Sequence, residues 1–169
     1  MSESGILLPP GYRWRTGSAW DRPRVRQSLQ ATLQEAFPEQ AHWDHLEITL
    51  DRLFDPPSTP CWWILEEATG EPVGCVWVGI STDQATYRRV AYIFLLWVDP
   101  GHRRRGLGRA LIQQVERWGS QQQLAAITLQ VYHHNQAALS LYRQADFAVQ
   151  GYWLHKPLGP TLSENHEVL

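Results

Sequence analysis

The sequence contains little lysine, little cysteine and no long apolar run. Lys156 is the single lysine among 169 residues, which excludes a P-loop, because that phosphate-binding motif needs a lysine after its second glycine. The two cysteines, Cys61 and Cys75, lack metal-ligand spacing and lie on segments that should pair as a hairpin without bringing them face to face. This usage is typical of reduced structural thiols in a cytoplasmic protein. No segment approaches the roughly 20 apolar residues of a membrane span, and residues 1–10 lack the basic start of a signal peptide.

The length and charge of the chain predict one globular domain. A chain of 169 residues is long enough for one full-sized core, and we expect the domain to span residues 11–157. Residues 1–10 and 158–169 are expected to be flexible ends. The net charge is −2, so the composition does not favour nucleic acid as a partner, although residues 88–117 are basic.

A basic turn that contains glycines separates a predicted strand from a predicted helix. Residues 92–98 form an apolar run typical of a buried strand, and apolar residues recur at helical spacing over residues 107–118. Between them, three successive arginines precede Gly106 and Gly108. Glycine lets the main chain approach a ligand closely, and the unpaired first amides and the dipole of a helix attract anions. The turn therefore predicts a phosphate or pyrophosphate site.

Two glycines are too few for the dinucleotide fingerprint, which needs three. A second motif follows the predicted strand over residues 125–131. Its pattern is Asn-x-x-Ala-x-x-Leu-Tyr, beginning at Asn135, ending at Tyr142 and followed by Phe147. Together with Arg-x-x-Gly-x-Gly over residues 103–108, this pattern resembles the coenzyme site of the GNAT family of N-acetyltransferases. The resemblance covers residues 62–156.

The resemblance implies an α/β fold of the GNAT type, in which a mixed central sheet is splayed into a V and carries helices on both faces. The predicted elements follow the order of that fold. We expect helices over residues 22–37, 42–54, 107–118 and 135–145, and strands over residues 12–15, 61–67, 72–80, 89–98, 125–131 and 147–156. Asp21 is expected to be the N-cap of the first helix.

The resemblance also implies the cosubstrate and the residues that hold it. Acetyl-CoA would lie in the V and donate its acetyl group directly, without an acetyl-enzyme and without a metal. The backbone of the central strand would bind the pantetheine arm and the acetyl carbonyl, the basic turn the pyrophosphate, and Asn135 the pantetheine. The implied acetyl-CoA site comprises Leu96, Trp97, Val98, Arg103, Arg104, Arg105, Gly106, Leu107, Gly108, Arg109, Asn135 and Tyr142.

Tyr142 matches a tyrosine that lies beside the coenzyme sulfur in many members of this family. This implies a general acid that protonates or hydrogen-bonds the departing thiolate; the alternative is a tyrosine that only packs against the sheet. The general base stays unassigned, because Gln130 stands where relatives that acetylate ribosomal protein N-termini carry a glutamate, and the strand around Tyr92 carries none. A water chain to solvent is one alternative, and the candidate side chains are Glu66, Glu67, Asp83, His133 and His134.

The acceptor is expected to be a primary amine, either a small cationic molecule or a protein N-terminus. An acidic stretch over residues 31–71, with tryptophans nearby, would attract an ammonium group. The alternative is that these carboxylates only solvate helices and that the tryptophans, Trp43, Trp62, Trp63 and Trp77, belong to the core. A hypothesis of another class is an acyl-CoA-binding sensor or partner domain without transfer activity. The sequence leaves open whether the chain is a monomer or a homodimer.

Overall fold

The five strands of the sheet lie side by side in the order in which they occur along the chain. The computed structural model describes residues 5–158, so the expected flexible ends lie outside the described residues only at 1–4 and 159–169, and Ile6 and Leu8 of the first end pack against the core. The strands are β1 (Tyr12–Thr16), β2 (Cys61–Glu66), β3 (Pro72–Thr82), β4 (Arg89–Val98) and β5 (Ile127–Thr128). The helices are α1 (Arg22–Ala36), α2 (His45–Leu53), α3 (Leu107–Gln121) and α4 (Gln136–Gln144). Neighbours from β1 to β4 are antiparallel, whereas β5 runs parallel to β4.

Each face of the sheet buries its own hydrophobic cluster. Because side chains alternate along a strand, Trp63 of β2 and Trp77 of β3 pack on one face with Leu29 of α1. On the opposite face, Ile64 of β2 packs with Leu111 of α3. Trp63 and Trp77 are fully buried, and an aromatic side chain buries about 150–250 Å². These two indoles are therefore a main source of the hydrophobic stabilisation on the α1 face.

The strands β4 and β5 separate after a short parallel contact. Ala91 pairs with Ile127 and Tyr92 with Thr128, and these are the only β4–β5 pairs among the described residues. Farther along β4, the pairing with β3 shifts register at Phe94, which forms a bulge. From Phe94 to the end of β4, no described strand pairs with the edge that faces β5. The sheet therefore opens into the V that the sequence predicted.

Three predicted elements differ from the structure. The second helix begins at His45 rather than at residue 42, and the strand expected over residues 125–131 is confined to Ile127–Thr128. The strand expected over residues 147–156 is wrong, because these residues form no strand, and Tyr152 and Leu154 are largely exposed. A strand needs a neighbour that accepts its backbone hydrogen bonds, and the short β5 offers too little edge.

Asp21 begins α1 as predicted, but its carboxylate does not cap that helix. It pairs with Arg15 at 2.6 Å and accepts a hydrogen bond from the Ser18 amide at 2.8 Å. Burial acts to raise the pKa of Asp21, yet the hydrogen bonds from Arg15 and Ser18 outweigh burial, so the pKa lies below its ordinary value. The ion pair joins β1 to the start of α1.

The described residues offer neither a reactive thiol nor a metal site. Cys61 and Cys75 are free and buried, and they lie opposite Trp77 and Trp63 rather than opposite each other, as predicted. Burial raises the pKa of Cys61 to about 12 and that of Cys75 well above its ordinary value, so neither is a thiolate at neutral pH. Within residues 5–158, no three His, Cys, Asp or Glu side chains gather as metal ligands. No helix of that part of the chain has the length and apolar character needed to cross a membrane.

Candidate active site

The open edge of β4 presents the backbone of two residues to the V. Asp99 donates its amide to the Val73 carbonyl of β3 at 2.9 Å, so the backbone of Asp99 faces β3. Backbone groups alternate in direction along a strand. Leu96 and Val98 therefore face the gap toward β5, whereas Trp97 faces β3. Of the three central-strand residues predicted to bind the coenzyme, the structure brings the backbone of Leu96 and of Val98 to the gap.

A tight turn leads from the end of β4 into α3. The Asp99 carboxylate accepts a hydrogen bond from the Gly101 amide at 2.9 Å and holds the start of the turn. Arg104 has φ 63° and Gly106 has φ 83°, and this left-handed region costs glycine little. The helix α3 then starts at Leu107. Its first amides lack helical partners and carry the positive end of the dipole, a geometry that attracts an anion.

The three arginines of the turn and Arg109 at the start of α3 divide into two braced and two available side chains. Arg103 donates to Glu35 of α1 at 2.6 Å and to the Val98 carbonyl at 3.1 Å. Arg105 points toward the far edge of the sheet, where it donates to the Tyr12 hydroxyl at 2.9 Å. Arg104 and Arg109 are exposed and have no hydrogen bond or ion pair with any residue of 5–158. Two guanidinium groups are thus free for an anion at this helix N-terminus.

Tyr12 and His102 belong to a polar chain that sequence reasoning missed. The Tyr12 hydroxyl accepts a hydrogen bond from Arg105 and lies 2.9 Å from Nδ1 of His102. Nε2, on the other side of the His102 ring, lies 4.0 Å from the Glu66 carboxylate. No spacing in the sequence indicates this chain, because its members come from β1, the end of β2 and the turn before α3.

Asn135 and Tyr142 lie at the two ends of an element that packs against the start of α3. The side-chain oxygen of Asn135 accepts a hydrogen bond from the Ala138 amide at 3.1 Å and caps α4. A Cβ at Gly108 would lie 2.9 Å from the Leu141 side chain, so the glycine allows α3 and α4 to approach closely. Burial raises the pKa of Tyr142 to about 12. Its phenol therefore keeps its proton at neutral pH.

The candidate bases lie in three places. Glu66 and Glu67 stand at the β2–β3 hairpin, and Asp83 stands in the exposed β3–β4 loop. A hydrogen bond from the Thr86 hydroxyl, 2.7 Å long, lowers the pKa of Asp83. Only His133 and His134 lie on the segment that continues from β5 to α4, together with the exposed Gln130.

Aromatic side chains cover the α1 side of the V. Phe37, which follows α1, contacts Tyr132 with ring centroids 4.7 Å apart. Tyr132 stacks on His134, whose Nε2 lies 3.1 Å from the Ala36 carbonyl and donates to it. Tyr92 lies on the same face, and its pKa is raised by burial and then by Tyr132. We call Phe37, Tyr92, Tyr132 and His134 the aromatic wall.

Arginines pair with part of the acidic stretch, and most of its tryptophans are buried in the core. Glu47 and Asp51 pair with Arg22 at 2.7 and 2.8 Å, and Glu35 pairs with Arg103. Trp43, Trp63 and Trp77 are core residues. Trp62 packs against Trp118 on the α3 face. The alternative interpretation, core tryptophans and carboxylates on helix surfaces, is the one the structure favours.

Fold and site together define an α/β domain that presents a helix N-terminus with two available arginines beside an open strand edge. The model of the acetyltransferase (GNAT) family matches residues 22–147, and the chain belongs to that family. Among curated relatives, a mycothiol acetyltransferase of Thermobispora bispora is 30% identical over 141 residues, covering 83% of this chain and 48% of the relative. N-acetyltransferase family 8 member 7 of Mus musculus is 29% identical over 110 residues, covering 65% of this chain and 47% of the relative. The chain thus spans about half the length of these two relatives.

Solved structures share the fold. A putative acetyl transferase from Pyrococcus furiosus has a TM-score of 0.71 and 23% identity, with 87% of this chain and 99% of that chain covered. An aminoglycoside acetyltransferase from an uncultured soil metagenomic sample, in complex with trehalose, has a TM-score of 0.66 and 17% identity, covering 88% and 96%. At these identities the likeness concerns the fold, and it confirms the GNAT fold expected from the sequence.

Proposed function

We propose that this chain transfers the acetyl group of acetyl-CoA directly to a primary amine. The observation that carries the proposal is the position of two available guanidinium groups, those of Arg104 and Arg109, at the start of α3 beside the open edge of β4. A diphosphate needs concentrated positive charge, and an amide-bearing arm needs an unpaired strand edge. The transferase domain is proposed to span residues 11–157, within which the family match lies.

The geometry supports one orientation of acetyl-CoA. The pyrophosphate lies against the first amides of α3, with Arg104 and Arg109 on either side of it. The pantetheine arm runs along β4 and pairs with the backbone of Val98 and Leu96 as an added strand would. The amide group of Asn135, whose oxygen caps α4, donates to the arm from the opposite side of the V.

The proposed reaction needs one carbon–nitrogen bond formed, one carbon–sulfur bond broken and three proton transfers. The amine nitrogen attacks the thioester carbonyl, the carbon–nitrogen bond forms, and the carbon–sulfur bond breaks to release CoA thiolate. The ammonium form of the acceptor first loses a proton, because a free alkylamine of pKa near 10 is mostly protonated at neutral pH. The nitrogen loses a second proton after attack, and the thiolate gains one. The candidate groups to accept the amine protons include His133 and His134. Of the candidate bases, these two lie nearest to α4 along the chain.

Tyr142 is proposed to assist the departing sulfur. A phenol of pKa about 12 is a weaker acid than a thiol of pKa near 8.5, so complete proton transfer is uphill by about 5 kcal/mol. Hydrogen-bond donation to the developing thiolate needs no such transfer, and it grows stronger as negative charge appears on sulfur. The acid assistance expected from the sequence is therefore proposed to be a hydrogen bond that tightens in the transition state.

The acceptor is proposed to enter over the aromatic wall. Aromatic faces attract ammonium groups within about 6 Å of the ring centroid, and Tyr132 and Phe37 are both partly exposed. The wall thus replaces the acidic stretch as the feature that attracts a cationic amine. Two classes of cationic amine are candidate acceptors. One is the aminoglycosides, whose acetyltransferases share this fold, and the other is N-terminal peptides.

A thiol-release assay tests the proposal. The chain is incubated with acetyl-CoA and, separately, polyamines, aminoglycosides, amino acids and N-terminal peptides, and free CoA thiol is measured. Amine-dependent release that is lost in the Arg104→Ala, Arg109→Ala double variant supports acetyl transfer. Saturable acetyl-CoA binding without thiol release for any amine supports the sensor hypothesis instead, and absence of binding rejects both.

A further inference from the structure

The C-terminal end of α1 reaches the β4 side of the gap through one arginine. Glu35 pairs with Arg103 at 2.6 Å, and Arg103 also donates to the Val98 carbonyl at 3.1 Å. That carbonyl faces the gap between β4 and β5, because the amide of the next residue, Asp99, donates in the opposite direction to β3. One guanidinium group thus ties α1 to the gap-facing carbonyl at the end of β4. A coenzyme arm would find the Val98 amide and both backbone groups of Leu96 available beside it.

The same end of α1 reaches the β5 side of the gap through the next two residues. The Ala36 carbonyl accepts a hydrogen bond from Nε2 of His134 at 3.1 Å. The Phe37 ring contacts the Tyr132 ring edge to face, with centroids 4.7 Å apart. His134 and Tyr132 lie on the segment that joins β5 to α4. We call residues 35–37 the α1 bridge, because these three consecutive residues contact both sides of the gap.

The α1 bridge lies beyond the buried part of its helix. The buried residues of α1 all lie in its first half; they are Val25, Ser28 and Leu29. In the bridge, Glu35 and Phe37 are exposed. The Phe37 amide still donates to the Leu33 carbonyl at 2.8 Å, so the bridge is one hydrogen-bonded turn. Segments with few buried contacts open at low free energy. The position of this turn therefore depends on its contacts across the gap.

We propose that the α1 bridge couples the coenzyme site to the acceptor site, with Glu35 and Arg103 as positioning residues. The inference rests on the proposed function, which places acetyl-CoA along β4 and the acceptor over the aromatic wall. An arm that pairs with Val98 fixes the peptide group that Arg103 holds, and Arg103 then fixes Glu35. The bridge in turn holds Phe37 and His134, two members of the aromatic wall. Acetyl-CoA therefore improves acceptor binding, and the acceptor improves acetyl-CoA binding by the same factor.

Amide hydrogen exchange in the free chain tests whether the bridge joins the two sides. The reporter is the Gln136 amide, which donates to the His134 carbonyl at 2.9 Å on the β5 side. Glu35→Gln removes the charge that holds Arg103 on the β4 side. We expect exchange at Gln136 to rise up to about fivefold, the range that an exposed ion pair supplies. Glu39→Gln removes the same charge from an exposed side chain after the bridge, and it should leave this rate unchanged.

Acetyl-CoA is then added to the same samples, and the acceptor found by thiol release is used for kinetics. Acetyl-CoA should slow exchange at Gln136 in the unaltered chain and slow it less in Glu35→Gln. The acceptor KM should rise up to about fivefold in Glu35→Gln, again the range of an exposed ion pair, with kcat nearly unchanged. In an Arg103→Ala background, Glu35→Gln should add no further loss, because both substitutions break one contact.

The outcomes separate this proposal from the proposed function. Equal exchange rates at Gln136 in Glu35→Gln and Glu39→Gln overturn the bridge, whether or not any amine is acetylated. Additive losses in the Glu35→Gln, Arg103→Ala double variant overturn the route through Arg103. Absence of acetyl-CoA binding rejects the proposed function and the coupling with it, whereas faster exchange at Gln136 in free Glu35→Gln would still show that the bridge joins the two sides.

Discussion

The guanidinium of Arg105 donates a hydrogen bond of 2.9 Å to the hydroxyl of Tyr12, which lies 93 positions earlier in the chain. This contact joins the turn before α3 to β1, the strand at the opposite edge of the sheet. A second brace, from Arg103 to Glu35 at 2.6 Å, joins the same turn to α1. The turn proposed to bind the pyrophosphate is thus fixed from two directions, and Arg104 and Arg109 remain without a partner among residues 5–158.

Removal of the Tyr12 hydroxyl should loosen this turn without touching the reacting atoms. Tyr12→Phe deletes the oxygen that joins Arg105 to His102. A hydrogen bond contributes about 0.5–1.5 kcal/mol, so we expect acetyl-CoA affinity to fall about threefold to tenfold with kcat nearly unchanged. Titration calorimetry measures the affinity, and Tyr87→Phe, on an exposed tyrosine, is the control. An unchanged dissociation constant in Tyr12→Phe contradicts the bracing role.

The two available arginines should dominate the salt dependence of acetyl-CoA binding. Arg104→Ala and Arg109→Ala each remove a charge that has no partner among residues 5–158, and charge-assisted hydrogen bonds contribute about 1.5–3 kcal/mol. We expect each affinity to fall tenfold or more, with a flatter dependence on ionic strength. Arg103→Ala should act more weakly, because Arg103 already pairs with Glu35. Equal losses in all three variants would argue against the division into braced and available side chains.

Tyr142→Phe should reduce turnover much more than binding. A hydrogen bond to the charge that develops in the transition state contributes about a hundredfold or more in rate, whereas the phenyl ring keeps the packing of α4. Since burial raises the pKa of Tyr142 to about 12, the phenol stays protonated below that pH. The wild-type rate should therefore show no loss from Tyr142 ionisation between pH 6 and about pH 10. Steady-state kinetics across this range, with the exposed Tyr152→Phe as control, provide the measurement. Normal kcat in Tyr142→Phe would leave the residue with a packing role only.

The ion pair of Asp21 with Arg15 should stabilise the fold in a pH-dependent way. The pKa of Asp21 lies below its ordinary value of 3.8, so its contribution is fully present above that value and is lost as pH falls through the lower, folded-state pKa. Asp21→Asn should lower the free energy of unfolding by about 1–3 kcal/mol at pH 7. The difference between the two proteins should shrink below pH 3.8. Urea unfolding at several pH values measures it.

The matched control for that experiment is Asp51→Asn. Asp51 also pairs with an arginine, at 2.8 Å, but its side chain is 70% exposed. Exposed pairs contribute about 0–1 kcal/mol, so this variant should unfold almost as the unaltered chain does. If both variants lost equal stability, burial would not be the reason that Asp21 matters.

Local sequence patterns predicted the elements that position the site. The apolar run and the basic turn located β4 and the start of α3, because a buried strand and a helix N-terminus are encoded by neighbouring residues. The strand expected over residues 147–156 failed for the opposite reason: a strand depends on a partner edge, and β5 is too short to provide one. Two features join residues that lie far apart in the sequence: the contact between Arg105 and Tyr12, and the aromatic wall. No local pattern of residues predicts either of them.

Because β4 pairs with β5 over only two residues, hydrogen exchange at the end of β4 should reveal whether the open edge is occupied. Leu96 and Val98 direct their amides into the gap, where no described strand protects them, while Trp97 donates toward β3. In hydrogen–deuterium exchange the two gap-facing amides should therefore exchange quickly and their neighbour slowly, an alternation within three consecutive residues. A coenzyme arm that pairs with this edge would slow the exchange of the Leu96 and Val98 amides, and the alternation would disappear. The exchange of a peptide that spans the end of β4 therefore reports whether the coenzyme is bound.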